Sequence, residues 1–442
     1  MKKTNLLLTM FLCISAFGLS SCSSDDQEPK LPIPEEETPT EIVTPAEEPK
    51  VEEPTSRGAV PISLEGNQQA INNKLNDFAW KLFNEAYAQK TGKANILLSP
   101  LSLEIALGMF QNGLVEADQQ ELLKTMGLEN YTAAEVNAYF KTMVEGMLEA
   151  DEQATLEIAN ALWYRDEQEI NADFQQALKD NFEAKVEKAP FDDTTIEAIN
   201  AWCAAQTHDL ITELVNNNFR PDVFALLNAV YFKAGWKSVF DKEKTEELPF
   251  LLADGTNANI PMMQKFPLME ETHEEFYYLE NENYQAVALP FKNEAFLWFA
   301  ILPQKDKSVA DILPQITAET LTNLLKYKGE LSAVIIPKYE VDYTVSNLVN
   351  IIDALNPDLH FKYLDFQGAF DTPLPVDMEI DALQKTAFKI DEEGAEAAAV
   401  TGIVGVTSVP PSIKLDRPFI YGLMETSTSC PMFIGYFGDR TK

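Results

Sequence analysis

The chain has 442 residues, 45% of them hydrophobic, which is enough to build a sizeable core. Its formal net charge is −36. So acidic a protein is a poor partner for nucleic acid and for polyanions such as heparin.

The first element in chain order is apolar. MKKTNLLLTMFLCISAFGLSSC has a Lys2-Lys3 head, an apolar middle and small residues before a cysteine, the order of a bacterial export signal. Leu19-Ser20-Ser21-Cys22 resembles a lipobox, so residues 1–22 are expected to be a lipoprotein signal, with Cys22 as the lipid anchor to a bacterial membrane. Ser23-Ser24-Asp25-Asp26 is similar to the acidic surface-export signals of Bacteroidota lipoproteins, which suggests an outer-membrane, surface-facing location. Residues 23–66 are rich in Pro and Glu and are expected to form a disordered tether. Extended at ~3.1 Å per residue, about 35 such residues reach ~100 Å. Eleven acids and three bases between Ser23 and Val60 give this segment −8; with Lys2 and Lys3 lost with the signal, the remainder carries −30.

Residues 67–442 show no second linker and no repeat, and are expected to fold as one domain. NNKLNDFAWKLFNEAYAQK places Leu75, Phe78, Ala79, Leu82 and Phe83 at helical spacing. Ser99-Pro100-Leu101-Ser102 opens a further apolar helix, with proline suited to a helix start. ADFQQALKDNF and IEAINAWCAAQTHDLITELV are two more amphipathic helices. The period then changes: FALLNAVYFKAGW, AVALPF, FLWFAILP, LSAVIIPKYEV and SCPMFIGYF are short β-branched and aromatic runs. The class is therefore α+β, with N-terminal helices and large, mainly antiparallel sheets. Near the end, DEEGAEAAAVTGIVGVTSVPPS (Asp391–Ser412) mixes helix-forming and strand-forming residues before Pro410-Pro411. Cys203 and Cys430, the cysteines left in the body of the chain, are expected to be buried and unpaired.

Enzyme signatures are missing from the sequence. His208, His273 and His360 lie in no metal-ligand spacing, and there is no G-x-S-x-G elbow and no phosphate-binding glycine loop. Ser99 and Ser102 have no positioned base in sequence and read as structural. No cofactor and no metal site are expected.

Several stretches together resemble the serpin family: NILLSPLSLEIALGMFQNG, IANALWYRDEQEINADFQQALKDNFEAKVEKAPF, LLNAVYFKAGWKSVFDKEKTEELPF followed by Pro261-Met262-Met263, and IKLDRPFIYGLMETSTSCPMFIGYFGD. The resemblance runs from about Asn67 to Lys442. It implies the serpin fold with an exposed reactive loop, here about 392–412, and a suicide-substrate inhibitor rather than an enzyme. A protease cuts the loop and forms an acyl-enzyme; the freed arm then enters the central sheet and traps the enzyme covalently. The hinge implied is Glu392, Glu393, Gly394, Ala395, Glu396, Ala397, Ala398, Ala399, Val400 and Thr401. Counted from Gly394, the inward positions would be Ala395, Ala397, Ala399, Thr401, Ile403 and Gly405, all uncharged, as an inserting strand requires. The reactive bond is Thr407-Ser408 counted back from the prolines, or Ser408-Val409 counted forward from the hinge. Either places a small residue in the protease's primary pocket. With no Lys, Arg or aromatic residue between Gly394 and Ser412, elastase-like or subtilisin-like serine proteases are the expected targets, followed by papain-like cysteine proteases. Ser99, Ser102, Asn228, Trp236 and Gln384 match positions that control sheet opening; the family usually has His where this chain has Gln384.

Overall fold

The computed structural model describes residues 57–440 apart from 93–94, 218, 220, 222, 268–273, 376, 381, 383 and 393–409. The expected signal, Cys22, and the tether as far as residue 56 lie outside the described residues. The helices are α1 (Gln68–Gln89), α2 (Pro100–Phe110), α3 (Glu116–Thr125), α4 (Ala133–Glu149), α5 (Ala172–Phe182), α6 (Asp193–Gln206), α7 (Val309–Ile312), α8 (Ala318–Leu324) and α9 (Leu348–Leu355). The first strands are β1 (Ile96–Leu98), β2 (Thr155–Arg165), β3 (Lys185–Ala189), β4 (Phe224–Lys233), β5 (Glu246–Leu251), β6 (Asn257–Lys265), β7 (Glu275–Glu280) and β8 (Tyr284–Pro290). They continue with β9 (Phe296–Pro303), β10 (Lys328–Glu330), β11 (Ala333–Pro337), β12 (Tyr339–Val345), β13 (Gln384–Ile390), β14 (Ser412–Lys414), β15 (Phe419–Glu425) and β16 (Pro431–Phe437).

An antiparallel seven-stranded sheet, ordered β1-β16-β15-β9-β8-β7-β10, forms the centre. Its middle strands β9, β15 and β16 are buried along their whole length, which explains why they read as continuous apolar runs rather than alternating ones. A second sheet, β14-β11-β6-β5, packs Phe250 edge-on against Phe437. Two smaller sheets, β3-β2-β4 and β12-β13, also lie on the central one. Phe232 of β4 packs against Phe296, and Phe388 of β13 packs against Tyr421 and Phe433.

Two expectations about boundaries change. The folded body starts about ten residues before Asn67: Val60 N donates to Ala150 O, Ile62 N donates to Ser427 Oγ, and the Ile62 side chain is buried over Gly146 of α4. The helix read through IEAINAWCAAQTHDLITELV stops at Gln206. Thr207 Oγ1 takes the hydrogen bond of Ile211 N, and His208 and Asp209 both adopt left-handed φ, near +47° and +61°, which ends the helix. Among the described residues, no helix is long and apolar enough to cross a membrane.

Candidate functional site

β4 and β13 face one another across a split. Among the described residues, β4 has β2 as its only sheet partner and β13 has only β12. Halfway along, a small apolar cluster of Cys203, Ile211 and Ala229 of β4 also takes in Ala387 of β13. At the far end, Trp236, just past β4, donates from Nε1 to Asp391 O, just past β13, at 2.9 Å. The two facing strands therefore run in the same direction. A segment returning from residue 392 between them would be antiparallel to both, the pairing that is slightly the more stable per residue.

One turn of α2 spans this split from below. Ser99 caps the helix in extended conformation, its Oγ accepting from Ser102 N, and Pro100 occupies the first helical position. Ser99 N donates to Gln384 Oε1 at 3.0 Å, and Gln384 Nε2 donates back to Ser99 O at 2.8 Å. Ser99 Oγ itself donates to Met432 O at 2.8 Å. Three residues on, Ser102 Oγ donates to Asn228 Oδ1 of β4. Asn228 Nδ2 continues to Asn160 Oδ1 at 2.6 Å, and Asn160 Nδ2 ends on Phe182 O at 2.8 Å. Ser99 thus holds the β13 side and Ser102 the β4 side. Buried polar groups joined this way are stable only while every member has a partner.

The other face is covered by α6 and the segment after it. Besides the Cys203 contacts, Lys385 Nζ donates to Glu213 O at 2.9 Å. Cys203 and Cys430 are both buried free thiols. Burial pushes the Cys203 thiol up to about 11, against a smaller opposing pull from Lys385 and Thr207, so it stays protonated at neutral pH.

The loop ends are fixed on different elements. Glu392 is 4% exposed. It accepts from Lys338 Nζ at 2.6 Å and from Thr245 Oγ1 at 2.7 Å. Burial pushes this carboxyl up, but the Lys338 and Thr245 hydrogen bonds outweigh it and hold it below the usual carboxylate range. At the other end, Pro411 O accepts from Ser332 N at 2.8 Å, and β14 joins β11 in parallel. Of the expected hinge, Glu392 is placed; Glu393, Gly394, Ala395, Glu396, Ala397, Ala398, Ala399, Val400 and Thr401 lie outside the described residues, as do Thr407, Ser408 and Val409.

The five expected control residues fall at this one split: Ser99, Ser102, Asn228 and Gln384 across its floor, Trp236 at its end, stacked on Phe291 at 4.7 Å. The anchors Lys338 and Thr245 were not legible, being one lysine and one threonine among many. Asn160 had a faint signal, a polar residue within the apolar run IANALW.

Comparison with known proteins decides what this split belongs to. A family model described as serpin (serine protease inhibitor) matches residues 73–439. The chain belongs to the serpin family. Human neuroserpin is 29% identical to it over 383 residues, covering 81% of this chain and 89% of neuroserpin. Rat alpha-1-antiproteinase is 26% identical over 380 residues, covering 84% and 90%. Among solved structures, the thermophilic serpin tengpin in its native state is 27% identical, with a TM-score of 0.73 over 87% of this chain and 97% of tengpin. Tengpin in its latent state gives 0.69 over 86% of this chain and 100% of tengpin. The architecture is thus the serpin fold, and membership in this inhibitor family places the chain outside the enzymes.

Proposed function

We propose that this serpin is a suicide-substrate inhibitor whose cleaved loop inserts between β4 and β13. The observation that carries the reading is the split itself: two strand edges that have no partner among the described residues and run the same way, with the loop leaving from the end of one of them at Glu392. An inserted strand about as long as β13 gains ladders on both sides. At about 1 kcal/mol net per hydrogen bond, a dozen bonds release on the order of 10 kcal/mol. Ala395, Ala397, Ala399 and Thr401 supply small, uncharged side chains for the buried face. Serine proteases with small primary pockets, elastase-like or subtilisin-like, suit the residues around Thr407-Ser408, and papain-like cysteine proteases come next. Cys22 anchors the inhibitor to the outer membrane, facing outward, and the Pro/Glu tether holds it clear of the surface.

Incubation with pancreatic elastase tests this. The expected result is an SDS-resistant covalent complex and a released peptide beginning at Ser408, or at Val409 in the alternative register. Loop turnover without any complex would contradict it. A second reading is a non-inhibitory carrier on the same scaffold: thyroxine-binding globulin, solved in complex with thyroxine, shares the fold at 24% identity and a TM-score of 0.72. Cleavage without trapping favours that reading.

A further inference from the structure

α2 carries a carboxyl group that the inhibitory cycle does not use. Glu104 lies two residues beyond Ser102, on the helix that spans the split, and is 3% exposed. Its Oε1 is buried with no hydrogen-bond partner. Among the described residues no cation pairs with it. The titratable groups that feel its charge are Tyr139 from α4 and Cys430 just before β16; both also feel Glu425, at the end of β15. None offers it a counter-charge. Tyr139 Oη already donates to Asn72 Oδ1, and both Glu425 oxygens accept from the turn, Oε1 from Ser427 N and Oε2 from Thr428 N. The Cys430 thiol is held neutral by burial.

We propose that Glu104 makes opening of the split sheet proton-controlled: neutral, it is a silent part of the core, and once ionised it loosens α2 and with it the Ser99 and Ser102 contacts that hold β13 and β4. An unpaired carboxylate is costly to keep in this buried packing, where nothing offers it a hydrogen bond or a counter-charge. Hydration requires α2 to move away from α4 and β16. The same movement strains the Ser99–Gln384 and Ser102–Asn228 bonds, because Ser99, Ser102 and Glu104 lie within two turns of one helix. Burial accordingly pushes the Glu104 carboxyl well above its ordinary 4.5. The sign follows: the native state binds this proton more tightly than an opened state does. The Glu104 contribution to native stability is therefore fully present below about 4.5 and is lost as pH rises through the raised value. The ligand of this site is the proton, and the consequence is a native form that persists in mild acid and opens faster at alkaline pH.

The test needs no protease and so is independent of the inhibitory reading. The lifetime of the native state at fixed temperature, followed by tryptophan fluorescence, is measured from pH 5.5 to 8.5 for the wild type and for Glu104→Gln, which keeps the shape and removes the titration. The wild-type lifetime should shorten as pH rises, by at most about tenfold per pH unit, while the Gln variant stays flat. A Gln variant with the wild-type pH dependence, or a wild type with none, would overturn the proposal. Should Glu104→Gln fail to fold, Glu104→Leu supplies the same comparison.

Discussion

Glu392 and Glu104 are buried carboxyl groups with opposite pH consequences, decided by what touches them. Glu392 has Lys338 and Thr245, and its depressed pKa adds stability above the ordinary 4.5 that is lost as pH falls through the lowered value. Lys338→Met should therefore cost about 1–3 kcal/mol at pH 7, because the buried carboxylate loses its charged partner. The difference should close as pH falls and the carboxyl is protonated, which urea midpoints between pH 3 and 7 measure; a pH-independent difference would contradict the assignment. Gln384 shows why an imidazole is not needed at its position. Its amide accepts and donates at once to the Ser99 main chain, a pair of bonds that pH does not alter. That position was legible in the sequence through family resemblance. Glu104 was not, because one Glu in LEIALGMF reads as the polar side of a helix, and only the packing shows that α2 is buried on nearly every side.

At the scale of elements, periodicity located most pieces and missed where they end. FALLNAVYFKAGW became β4, whereas LSAVIIPKYEV became two strands, β11 and β12, broken at Lys338, whose N–H turns to Pro261 O. The overrun of α6 came from its apolar spacing, which cannot register the two left-handed residues that stop the helix. The strap at residues 57–65 was read as tether because it follows the Pro/Glu-rich run directly and is too short to show a period of its own. Its hold comes from single contacts: Arg57 Nη2 donates to Glu149 O, Ile62 covers Gly146, and Ile62 N donates to Ser427 Oγ. A Cβ at Gly146 would stand 2.8 Å from Ile62 Cγ2. Gly146→Ala should therefore displace the strap at a cost of about 1–3 kcal/mol and speed trypsin cleavage after Arg57, read as a new N-terminus at Gly58. An unchanged cleavage rate would show that the strap is held elsewhere.

For the whole molecule, the sequence specified a large α+β body because its buried runs are long and its sheet strands chemically distinct from its helices. It could not show the split between β4 and β13, since an unpaired edge depends on which strands meet, and both edges carry ordinary strand residues. Among the described residues, the facing edges of β4 and β13 have no sheet partner, with α2 beneath, α6 above and the chain tied at Glu392. The direct measurement is the thermal unfolding of intact protein against protein cut in the loop by elastase. Insertion on the order of 10 kcal/mol should raise the melting temperature by roughly 12 °C in a body of this size. An unchanged melting temperature after complete cleavage would mean that the strand never enters the split.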